Sequence, residues 1–154
     1  MAVRALIAEG SRAVRNAIRF HLECVGCDVV AEVGTAAQAM QLFRTVRPDV
    51  VTLGSELSEA DGISPLSLVR DIRGETPDTT IVVLSASEGQ TAPAEEDFLR
   101  EGARDCIVGP LGSGTFEFLW RRLSAIYPEL KDQGFGAIIS NPFQQGRGQN
   151  RPMA

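Results

Sequence analysis

His21, Cys24 and Cys27 stand three residues apart in His-Leu-Glu-Cys-Val-Gly-Cys, a run that invites zinc binding or thiol redox chemistry. Structural zinc takes four ligands, and the only further cysteine is the lone, distant Cys106. A redox Cys-x-x-Cys opens a helix, where the dipole lowers the thiol pKa; this one closes a helical pattern. These residues are therefore read as packing groups, with no metal and no cofactor. Glu9 and Ser85 offer a carboxylate and a hydroxyl, but the sole histidine belongs to another segment, so no nucleophile, base and orienting group come together. An enzyme is not expected. Gly10-Ser11-Arg12 falls where a strand pattern meets a helix pattern, a place where backbone N–H groups can hold an anion. Ser11 acting simply as the helix N-cap accounts for it better.

The elements that must position these residues are legible from periodicity. Short apolar runs cover Val3 to Ala8, Asp28 to Val33, Asp49 to Leu53, Thr80 to Ser85 and Asp105 to Val108. Near-continuous Val, Ile and Leu over so few residues predicts strands buried on both faces. Between them, Val14, Ala17, Ile18, Leu22 and Val25 recur at helical spacing, as do Ala36, Ala39, Met40, Phe43 and Val46 after a capping-box pattern at Thr35 and Gln38. Pro48 ends that second helix. A third helix is predicted around Leu66 to Arg73 with Gly74 as its stop, a fourth around Pro93 to Glu101 stopped by Gly102, and a fifth carrying Phe116, Leu119, Trp120, Leu123 and Ile126. Strict strand–helix alternation with short connections predicts an α/β domain: a flavodoxin-like, doubly wound, five-stranded parallel sheet with helices on both faces, a (βα)5 three-layer sandwich.

The 154 residues, 44% hydrophobic and 23% charged, suit one domain with a full core. A formal charge of -5 sets the long-range field against phosphate backbones and anionic lipid, so neither nucleic acid nor a membrane is an expected partner. With no apolar run long enough to span a bilayer and no signal-peptide pattern, a cytoplasmic protein is expected. The domain is assigned to residues 1–127. Residues 128–154, rich in Gly, Gln and Asn, form a tail expected to be disordered. Within it, Phe135 to Phe143 is an apolar island that either folds back on its own domain or serves as a docking peptide.

Arg47-Pro-Asp-Val-Val-Thr-Leu-Gly54, followed by Asp61-Gly62, resembles the third strand and following loop of response-regulator receiver domains. Leu6-Ile-Ala-Glu9, Ile81-Val-Val-Leu-Ser85-Ala and Gly102-Ala-Arg-Asp-Cys-Ile-Val-Gly-Pro110 fit the same family in order and spacing, with extra residues near Ser64 to Ser67 and in the loop from Ser87 to Ala94. The resemblance spans residues 3 to 127. It implies a site at the carboxyl ends of the strands, in which an acidic pair holds Mg²⁺, an aspartate accepts phosphate, a Ser or Thr follows that event, and a lysine precedes a proline. On this chain the acidic pair is Glu9 and Gly10, the acceptor is Gly54, the hydroxyl is Ser85, the lysine is Gly109 and the proline Pro110. The aromatic that responds in many receivers is Cys106. Ser55 has no acyl group, and Glu56 matches a residue whose backbone carbonyl, not its side chain, serves the metal.

The resemblance thus implies a degenerate pocket that cannot form an aspartyl phosphate. The function expected is a phosphorylation-independent pseudo-receiver in bacterial two-component or phosphorelay signalling. Its partner would be a histidine kinase, a phosphotransfer protein or a chemotaxis-type protein. Arg12, Arg15 and Arg19 make a basic ridge on the first helix that is either a docking surface or a solvated face. Phe118 lies off the apolar stripe of the fifth helix and is a candidate anchor on the face made by helix 4, strand 5 and helix 5, through which a homodimer could also form. The alternative is a small-molecule or anion sensor, using a cavity left by Gly10, Gly54 and Gly109.

Overall fold

The computed structural model describes residues 2–57, 62–85, 95–109 and 112–130. Ten elements alternate: β1 (Val3–Ala8), α1 (Arg12–Cys24), β2 (Cys27–Val33), α2 (Ala36–Val46), β3 (Val50–Gly54), α3 (Pro65–Glu75), β4 (Thr80–Ser85), α4 (Glu95–Glu101), β5 (Asp105–Val108) and α5 (Ser113–Ile126). The strands form one parallel sheet in the order β2-β1-β3-β4-β5. The order reverses at β1, which places the crevice for any ligand at the carboxyl ends of β1 and β3.

Both faces of the sheet are covered, which is why the strands lack polar alternation. Val51, Leu53, Ile81 and Val83 pack with α2, α3 and α4, while Val50, Val82 and Leu84 pack with α1 and α5. The pairing of β1 with β2 slips by one residue between Ala5 and Leu6, so that Val30 is passed over.

The helix ends follow local chemistry. Ser11 caps α1 through its hydroxyl, 3.3 Å from the Val14 N–H. Thr35 accepts from Gln38 N–H at 3.1 Å, but the reciprocal half of the box is shifted, since Gln38 Oε1 takes the N–H of Gly34. α2 stops at Arg47, which adopts φ 49°, because Pro48 excludes the right-handed helical region for the residue before it. The residues near Ser64 to Ser67 form a capping box: each hydroxyl accepts the other residue's N–H. One expectation fails. α3 runs through Gly74 to Glu75 and is capped at Thr76, whose N–H still reaches the Ile72 carbonyl. Gly74 keeps a negative φ, so nothing at this position forces an end. Gly102 does stop α4, at φ 123°. The described chain stays packed as far as Leu130, which is buried on the α1–α5 side. The readings for Asp61, Pro93, Pro110, the loop from Ser87 to Ala94 and residues 131–154 lie outside the described residues. Among the described residues no helix is long and apolar enough to cross a membrane.

Candidate functional site at the carboxyl ends of the strands

β1, β3, β4 and β5 deliver Glu9, Gly54, Ser85 and Gly109 to the same end of the sheet. The loop connections hold them in register: Glu9 N–H donates to Val33 O at 3.0 Å, Ser55 N–H to Leu84 O at 3.0 Å, and Gly109 N–H to Ser85 O at 2.8 Å. Gly54 and Ser85 are buried, and Glu56 is exposed on the turn beyond β3.

The centre of the site is the contact between Glu9 and Gly54. A β carbon on Gly54 would fall 2.3 Å from Glu9 Oε1, closer than real β carbons approach, and 3.1 Å from Glu9 Cδ, a tight contact. The Glu9 carboxylate therefore stands in the space from which an acceptor side chain would start. Its other oxygen, Oε2, accepts the N–H of Ser11 at 3.1 Å, at the first turn of α1. There the positive end of the helix dipole favours a carboxylate. Gly109 holds φ 138°, and no atom of the described residues lies within 4 Å of a β carbon built on it. A lysine there would be strained by its backbone although space is open.

Glu9, the acidic residue that the resemblance leaves in the pocket, lies at its centre, and its carboxylate at Gly54 sets a negative charge there. The residues present do not fit Mg²⁺. A hard cation of this kind wants one or two well-placed carboxylates with near-octahedral geometry, and Gly10 and Gly54 stand where two of the family's three carboxylates belong. Among the described residues no group of three metal-ligating side chains occurs.

The other candidates are dispersed. Arg15 and Arg19 are not a free cationic ridge: both pair with Glu32 of β2, Arg15 at 3.9 Å and Arg19 in close contact, and Arg19 also pairs with Glu23 at 3.2 Å. Arg15 Nη1 further donates to the Glu9 carbonyl at 2.7 Å, so it braces the site from behind. Arg12 and Arg19 are exposed, and Arg15 is half-buried. Cys106 is no interface residue; it is buried in the cluster under α2, α3 and α4. Its thiol is pushed up to about 11, chiefly by burial and then by the charges of Glu95 and Asp105. Cys27, likewise buried, is pushed up to about 12 by burial and then by Asp49. Neither offers a thiolate at neutral pH, and none of the three cysteines is in a disulfide.

Phe118 is 45% exposed, as anticipated, with the Arg122 guanidinium 4.8 Å from its ring centroid. Sequence reasoning missed two companions. Leu99 on α4 and Val108 on β5 are 42% and 43% exposed. Val108 reads as a buried strand residue, but it ends the edge strand, where no neighbour covers it; that edge position was the available signal.

The family model for the response regulator receiver domain matches residues 5–116. The chemotaxis protein CheY of Bacillus subtilis is 32% identical over 110 residues, covering 71% of this chain and 88% of that protein. A protein-glutamate methylesterase/protein-glutamine glutaminase of Halobacterium salinarum is 34% identical over 113 residues, 73% of this chain. The chain spans only about a third (31%) of that relative's length. Among solved structures, the response regulator domain of Thermotoga maritima CheB superposes with a TM-score of 0.64 at 22% identity, covering 84% of this chain and 96% of that one. A parallel sheet in this strand order, the motifs at four strand ends and the match over most of the length have one common source: the chain belongs to the response regulator receiver domain family.

Proposed function

We propose that this receiver is a pseudo-receiver: a phosphorylation-independent module that acts by contact with another protein of a cytoplasmic two-component or phosphorelay circuit, with no chemical step of its own. One observation carries the reading. Where an acceptor aspartate would project from the end of β3, Gly54 projects nothing, and the Glu9 carboxylate takes up the space its first carbon would need. Glu9 is itself the acyl group nearest the position, but it is a poor substitute. It sits recessed at the level of the missing β carbon and is tied to the Ser11 N–H, with Gly109 where an ammonium would meet phosphoryl oxygen.

The partner suited to this reading is a histidine kinase, a phosphotransfer protein or a chemotaxis-type protein. The contact surface is the face of α4, β5 and α5, where Leu99, Val108 and Phe118 are exposed; a second copy of the chain could use it too. The test is incubation with acetyl phosphate and Mg²⁺ followed by mass spectrometry for a hydroxylamine-labile adduct. No adduct is expected. A stoichiometric adduct, on Glu9 or any other carboxylate, overturns the reading.

A further inference from the structure

A cleft of about 290 Å³ opens at the amino ends of β3 and β4, the opposite end of the sheet from Glu9 and Gly54. Its two sides are the turn that follows α2 and the turn that follows α3. Both turns are fixed by hydrogen bonds. Arg47 N–H donates to the Phe43 carbonyl at 2.9 Å, the Arg47 carbonyl accepts from Arg4 Nη1 at 3.0 Å, and the hydroxyls of Thr76 and Thr79 lie 2.7 Å apart. Phe43 and Pro48, both buried, lie at the base of the cleft, and Pro77 adds an apolar group to its exposed rim. The charges around it are of two kinds. Glu75 is paired with Arg44 at 2.7 Å, and Asp49 Oδ2 accepts the Arg4 N–H at 2.9 Å. Arg47 on one turn and Asp78 on the other are exposed, and among the described residues neither side chain makes an ion pair or a hydrogen bond.

We propose that this cleft binds a small zwitterion of the amino-acid class, its carboxylate on the Arg47 guanidinium, its ammonium group on the Asp78 carboxylate and its apolar side chain over Phe43 and Pro48. The proposal is independent of the phosphorylation site. Size favours it, because the cleft stands at the lower end of the range of ligand pockets, which begins at about 300 Å³, and so suits a small occupant. Charge favours it further. A simple anion would meet the carboxylates of Asp49, Glu75 and Asp78 on the same rim, and a simple cation would leave Arg47 without a counter-charge. A molecule carrying both charges answers both unpaired groups, and the planar guanidinium matches a carboxylate with two parallel hydrogen bonds. Because the turns are already held in place, little ordering opposes the binding.

The experiment uses the full chain and the standard free amino acids as probes, screened by thermal shift and followed by isothermal titration calorimetry. At least one amino acid with an apolar side chain should bind with a dissociation constant below about 1 mM. Arg47→Gln and Asp78→Asn should each weaken that binding roughly ten-fold. Both side chains are exposed, so the unfolding midpoint without ligand should stay unchanged in the two variants. The amide of the same amino acid, which lacks the carboxylate, and its N-acetyl derivative, which lacks the ammonium group, should lose affinity to a similar extent. Absence of binding by every standard amino acid overturns the proposal. So does a ligand whose affinity survives both substitutions, because its site is then elsewhere. A blocked derivative that binds as well as the free amino acid also overturns it, since apolar contact alone would then account for the affinity.

Discussion

The two ends of the sheet are built on different principles. At the amino ends, long polar side chains reach across elements to backbone. Arg4 donates from its N–H to Asp49 Oδ2 at 2.9 Å and from Nη1 to the carbonyls of Val46 and Arg47 at 2.6 and 3.0 Å. The Tyr127 hydroxyl donates to the Asp49 carbonyl at 3.2 Å and lies 2.9 Å from Thr80 Oγ1. Arg73 holds the Gly102 carbonyl with two nitrogens, at 3.1 and 2.8 Å, and also the carbonyl of Pro77. Among the described residues at the carboxyl ends, the ties to Glu9 are local: its carboxylate accepts the Ser11 N–H at 3.1 Å, and Arg15 Nη1 donates to its carbonyl at 2.7 Å. The ties at the amino ends join elements distant in sequence, whereas these two lie within one β1–α1 turn.

Two glycines with the same backbone demand give the sharpest test of that contrast. Gly102 and Gly109 both hold positive φ, at 123° and 138°, but a β carbon on Gly102 would meet Arg73 Cγ at 2.8 Å, whereas on Gly109 it meets nothing within 4 Å among the described residues. Gly102→Ala should cost roughly 2–3 kcal/mol in urea unfolding, from strain plus displacement of Arg73, and Gly109→Ala about 1 kcal/mol from strain alone. Equal losses would break the comparison.

The next effect concerns how Glu9 fills the site. Gly54→Ala should destabilise by about 1 kcal/mol at most, because the added carbon displaces the end of a flexible, half-buried side chain. The same substitution in a Glu9→Ala background should cost much less, leaving a coupling of roughly 0.5–1 kcal/mol in a double-mutant cycle. A cost that is the same in both backgrounds would mean that Glu9 is not what occupies the space.

The smallest effect is a pH dependence from His21. Burial lowers its pKa below the usual 6.5, outweighing the hydrogen bond to the Ala17 carbonyl, which raises it. The unfolded chain therefore takes up this proton first as the pH falls. The stability contributed by the neutral ring is complete above about pH 6.5 and is lost progressively below it. Thermal unfolding between about pH 7.5 and about pH 5.5 should show a decline that is shallower in His21→Gln, by the share this one ring contributes. Parallel curves for the two proteins would show that burial of the ring carries no such linkage.

The strands, the helices and their order were written locally. A run of Val, Ile and Leu buried on both faces, a stripe at three- and four-residue steps, and Ser11, Thr35 and Gly102 at helix ends each state their role within a few residues of chain. The family motifs also live at strand ends, so Gly54 and Gly109 could be set against the acceptor and lysine positions without coordinates. What could not be read were contacts between residues distant in sequence. That Glu9 swings into the room left by Gly54 depends on β1 lying beside β3. That Arg15 and Arg19 are neutralised depends on Glu32 arriving from β2, and the burial of Cys106 depends on α4 and its neighbours closing over the sheet. Periodicity records which face a side chain takes on its own element. Which charge or cavity it meets there is settled by packing, since the partner comes from another part of the chain and local pattern carries no trace of it.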